Sequence, residues 1–122
     1  MTTEELYSAI GGDYNAARRI LMNDAMISRF IVKLLDDTSY DRLMSAWAAA
    51  DEKGIFEAAH AMKGVYANLG VTGIASLASE ITEEFRPGKE RTLSPEALKE
   101  KMAAMESMHE TMIRAIREFK NQ

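Results

Sequence analysis

Apolar residues recur at three- and four-residue intervals along almost the whole chain, and no segment shows the alternating Val, Ile and Thr that a half-buried strand requires. That pattern restricts the chain to an all-α fold. Ile27, Phe30, Ile31, Leu34 and Leu35 form one stripe, and Leu43, Trp47 and Ala50 a second. A third runs through Ile55, Ala59, Met62, Tyr66 and Leu69, and a fourth through Ile74, Leu77, Ala78, Ile81 and Phe85. The last comprises Leu98, Met102, Met105, Met112, Ile116 and Phe119. Start and stop signals fall between the stripes. Thr2 or Thr3 can cap a short helix through about Ile10 that Gly11-Gly12 ends, and Asp13 can cap another through Leu21. Asn23 or Asp24, Thr38 or Ser39, Asp51, Thr72 and Ser94-Pro95 open the longer helices, while Asp36-Asp37, Gly70 and Pro87-Gly88 close them. The expected architecture is an antiparallel four-helix bundle with two short N-terminal helices over one end or side, residues 1–122 forming a single domain.

Composition removes several classes of function. Fifteen Lys and Arg against 19 Asp and Glu leave a net charge of −4, with no basic surplus to neutralise phosphates, so nucleic acid is not an expected partner. No apolar run approaches the roughly 18 residues of a spanning helix. The absence of cysteine rules out disulfides, thiolate zinc sites and cysteine nucleophiles together. The N-terminus MTTEELYSAIGG is acidic where a secretory signal is basic and then apolar. A soluble cytoplasmic monomer is therefore expected, and Met1 together with a complete bundle suggests a free-standing protein. Most of the nine methionines lie on the apolar stripes and read as adaptable core. The segment 89–94, KERTLS, is the loop long and polar enough to be mobile.

One helix carries an anomaly. On a wheel at roughly 100° per residue, Ile55, Ala59, Met62, Tyr66 and Leu69 fall within a sector of about 80°, and His60 points roughly 150° from its middle, with Gly64 farther round. His60 should face water, in the company of Phe56, Lys63, Gly64 and Ala67. A bundle helix ordinarily fills such a face with Glu, Lys, Gln and Arg. A glycine inside an exposed helix costs about 1 kcal/mol relative to alanine. Beside an outward histidine, the missing side chain lets another backbone come close to the ring. Lys63 can reach a negative group attached to that ring and favours a neutral, nucleophilic imidazole. Phe56 and Ala67 would supply apolar docking area, with Phe56 equally readable as a residue buried between helices.

The stretch AAHAMKGVYANLG, residues 58–70, resembles the signature of histidine-containing phosphotransfer (HPt) domains: a helix-borne His-x-x-Lys-Gly, then small residues and a glycine ten positions after the histidine. His60, Lys63, Gly64 and Gly70 match it. The resemblance extends to Asp51 ahead of the motif helix and to the helical pattern from about Asp13 through Phe119. It implies that His60 takes a phosphoryl group from one receiver-domain aspartate and hands it to another in multistep two-component signalling. By the same resemblance Lys63 would steady the phosphoryl oxygens and Gly64 would clear space for the receiver. The implied partners are response-regulator receiver domains or a hybrid histidine kinase. The metal ion and acidic pocket would belong to the receiver, and no cofactor is expected in this chain. Neither a GxxxxGK[ST] loop nor a kinase sequence set is present, so the chain is expected to relay phosphoryl groups without being an enzyme.

Other readings use the same residues differently. A non-phosphorylated helical adaptor would need only Phe56, Gly64 and Ala67 as a docking face. A general-base enzyme would need a carboxylate to orient His60, and Glu57 is the one within three or four positions. His109, between Met105 and Met112, reads as a partly buried structural histidine, and neither histidine has ligand spacing to a metal cluster. Tyr66 belongs to the core stripe, and Asn68 would satisfy backbone groups at its helix end. Glu80, Glu83 and Glu84 read as a solvated face.

Overall fold

The computed structural model describes all of residues 1–122. Seven helices form: α1 (Thr3–Ala9), α2 (Tyr14–Leu21), α3 (Asp24–Ile31), α4 (Ser39–Ala48), α5 (Glu52–Asn68), α6 (Thr72–Glu84) and α7 (Pro95–Lys120). Their starts are chemically explicit. Thr2 makes a reciprocal capping box with Glu5, and Asp13, Asn23, Asp51 and Ser94 each accept a first-turn N–H. Helix α4 opens at Ser39, one of the two expected starts, without a side-chain cap from Thr38; the Asp37 carboxylate accepts from the Ser39 N–H at 3.3 Å and from its hydroxyl. The helix after Asn23 also ends earlier than its stripe, tightening into a 3-10 turn over Val32–Asp36.

Placing Ala50 on the inward stripe of α4 is likewise corrected. The helix ends at Ala48, and Ala50 is exposed with φ +53°, the left-handed position usually given to glycine. Asp51 N–H donates to Ala46 O and Ala50 N–H to Trp47 O, so the turn satisfies the last carbonyls despite an alanine there.

The core is one cluster of 26 buried residues. Helix α5 is its centre, packed between α4 and α6; α7 lies against α6, α1 and the 3-10 turn, while α2 packs on α1 and α3. Three-residue connections reverse the chain between α4 and α5 and again between α5 and α6, which makes these neighbours antiparallel. The N-terminal helices are held at the C-terminal end of α5. Asp13 N–H donates to Gly70 O, Gly73 N–H to Gly11 O, and the Tyr7 hydroxyl to Leu69 O at 2.5 Å.

The loop after α6 is pinned rather than loose, against expectation. Glu84, expected on a solvated face, is 2 % exposed. Its carboxylate accepts from Thr92 N–H at 2.9 Å, Thr92 hydroxyl at 2.7 Å and Leu93 N–H at 3.0 Å. These bonds hold it in the ionised form, the Leu93 N–H foremost, and keep its pKa below the usual carboxylate value. Arg91 adds bonds to Glu84 O and Glu52 and lies over Phe85, so the segment 89–94 is tied to both α5 and α6. No helix is long and apolar enough to cross a membrane.

Candidate functional site

Helix α5 is aimed by its start. Asp51 accepts the Gly54 N–H at 3.0 Å, and the helix then buries Ile55, Ala58, Ala59, Met62 and Tyr66 between α4 and α6. Once that stripe is packed, the helical period leaves the opposite side outside. His60, Gly64 and Ala67 are exposed, with Phe56 and Lys63 half-buried at the flanks. The His60 ring stands beside the Phe56 ring, centroids 5.7 Å apart and planes tilted by 59°. Phe56 thus partakes of both expectations, packing against the core while presenting part of its ring beside the histidine.

Gly64 explains the openness of this face. A Cβ built there would meet nothing within 4 Å, and its backbone is ordinary helix. Internal packing therefore does not require the glycine. Together with Ala61, Val65 and Asn68 it lines a shallow depression that begins at Phe56 and His60 and opens to solvent. A rigid partner could seat its backbone against α5 there, one helical turn from the imidazole.

Asn68 lies in this depression and is exposed, contrary to its expected service at the helix end. Two of the terminal carbonyls are taken by backbone groups: Leu69 and Val71 N–H donate to Tyr66 O, and Gly70 N–H to Ala67 O. Glu57 turns toward Lys53, 4.0 Å away, and does not serve as an orienting carboxylate for His60. His109 is half-buried on α7, stacked on Tyr40 with centroids 3.7 Å apart and planes at 2°. Loss of water lowers its pKa, with Asp41, Asp37 and Glu110 opposing in part. No three His, Cys, Asp or Glu side chains converge as a metal site.

Two residues at this face were not expected from the sequence. Arg86, just past α6, lies over the Phe56 ring at 5.6 Å, on the ring that also neighbours His60. It pairs with Glu83 through Nη2 at 2.7 Å and Nε at 3.2 Å. That pairing lowers the Glu83 pKa, and the charges of Lys63 and Lys89 add to the effect. Spacing along α6 shows Glu83 and Arg86 as an i,i+3 surface pair, but nothing in it reveals that α5 presents Phe56 and Lys63 to them.

The site therefore combines an exposed imidazole, a cleared approach and two cations, Lys63 on α5 and Arg86 just past α6. It has no enclosed cleft and no oriented base, so it suits transfer to or from a group delivered by another molecule. Comparison with protein families matches the chain to the model described as Hpt domain over residues 26–118, which contains every residue of this face. Comparison with curated proteins and with solved structures gives no match.

Proposed function

This chain belongs to the Hpt domain family, and from that premise we propose that His60 is the phosphoacceptor of a relay between receiver-domain aspartates. Hpt domains are phosphotransfer carriers of two-component signalling and not kinases. The observation that carries the assignment to His60 is its exposure beside Gly64, where an added Cβ meets only open space.

In the proposed step a neutral His60 ring attacks the phosphorus of an aspartyl phosphate on the receiver. A ring nitrogen lone pair forms the N–P bond, and the P–O bond breaks with its electrons returning to the aspartate as carboxylate. The proton on the other ring nitrogen stays in place. Reversal passes the group to a second receiver. Phosphoryl transfer of this kind depends on alignment and on charge stabilisation. Lys63, at i+3, stabilises the phosphoryl oxygens, while Phe56, Gly64 and Ala67 seat the receiver. In this reading residues 1–122 act as one domain, a cytoplasmic monomer whose partners are receiver domains or a hybrid kinase carrying one.

Incubation with a phosphorylated receiver is expected to give an acid-labile, base-stable label that is lost in His60→Gln and kept in His109→Gln. Label surviving in His60→Gln refutes the assignment. A receiver that binds wild type and His60→Ala equally while exchanging no phosphate would favour a docking adaptor on the same face.

A further inference from the structure

We propose that Glu83 controls how readily His60 acquires a phosphoryl group, by competing with that group for Arg86. The inference rests on the reading of His60 as phosphoacceptor. Phe56 joins the two halves of the arrangement, with the His60 ring 5.7 Å away and the Arg86 guanidinium 5.6 Å above it. Arg86 is held by Glu83 in a two-point ion pair, 2.7 and 3.2 Å. The charges of Lys63 and Lys89 add to the effect of Arg86 in lowering the Glu83 pKa.

A half-exposed pair of this kind contributes little to folding and is easily exchanged; the Arg86 and Glu83 side chains are 47 % and 50 % exposed. In the resting protein the carboxylate offsets the positive field that an incoming phosphoryl group would use. Once the imidazole carries a phosphoryl group, its anionic oxygens and Glu83 draw on the same guanidinium. Glu83 is thus a positioning residue: it keeps Arg86 on Phe56 and moderates the site's attraction for anions.

The full chain can be phosphorylated with phosphoramidate, which requires no receiver: the imidazole lone pair forms the new N–P bond while ammonia leaves with the electrons of the old one. In Glu83→Gln the rate of labelling at His60 is expected to rise about two- to fivefold at low salt, the range an exposed ion pair can supply, and the gain should shrink at high salt. Arg86→Gln should slow labelling, and in wild type the Arg86 Nε–H resonance should move when His60 is phosphorylated. A rate unchanged or lowered in Glu83→Gln overturns the proposal, as does an Arg86 resonance that ignores the phosphoryl group. Thermal melts of both variants separate these outcomes from misfolding. Failure to exchange with any receiver while Glu83→Gln still accelerates chemical labelling would instead defeat the relay reading and leave the role of Glu83 intact.

Discussion

At His60 and Gly64 the essential information is angular. Five core positions on one side of α5 leave the histidine no direction but outward, so its exposure follows from spacing alone. Gly64 has a helical backbone and empty space where a Cβ would stand, so a helix-favouring residue fits it without strain. Gly64→Gln is expected to stabilise the protein by about 0.5 kcal/mol in urea unfolding. Transfer from a phosphorylated receiver should slow by about tenfold to a hundredfold, since a side chain there displaces the partner from the imidazole. A variant that is more stable and still transfers at the wild-type rate would remove Gly64 from the docking face. Phe56 was legible only as an alternative between core and surface. Arg86 and Glu83 were not legible as site residues, because their link to α5 depends on which turn of α6 lies beside Phe56.

Helix ends show where local signals suffice and where they mislead. Gly70 and Ala50 both terminate helices with the same pair of backward hydrogen bonds and a positive φ. The glycine announces such a turn, whereas an alanine in that conformation looks like one more apolar helix residue. Glu84 is the reverse case, a charged residue with helical spacing that the following loop covers. Glu84→Gln is expected to cost about 2 kcal/mol in chemical unfolding, because it weakens a charge-assisted acceptor of two backbone N–H groups and a hydroxyl. The pKa of Glu84 is lower folded than unfolded, so its contribution is complete above the ordinary value of 4.5 and is lost as pH falls through the folded value. The acid limb of the stability curve should therefore be shallower in Glu84→Gln, and an unchanged limb would show that these bonds contribute nothing to folding. The pinned loop joins the start of α5 to the end of α6 through Arg91 and Glu52, which supports the helix ends nearest Phe56 and Arg86.

Across the whole molecule, the α5–α6 turn joins the N-terminal helices to the bundle. Gly70 has φ +74°, and a Cβ there would lie 2.9 Å from the Ala17 N and Cβ atoms and 3.0 Å from Asp13 O. Backbone atoms of the first turn of α2 cannot yield as a flexible side chain would. Gly70→Ala is accordingly expected to cost about 2–3 kcal/mol in urea unfolding, with faster amide exchange in α1 and α2. Stability equal to wild type would mean the N-terminal helices are not clamped there. Helical class, the inward face of each long helix, most capping residues and the outward angle of His60 all follow from residues within a turn or two of one another. Such features are settled by backbone geometry and solvent, which act locally. Only packing decides that Glu84 lies beneath a loop and that Arg86 rests on Phe56. These contacts join different helices, and their distances depend on how the helices seat against each other, which spacing along one chain segment does not encode.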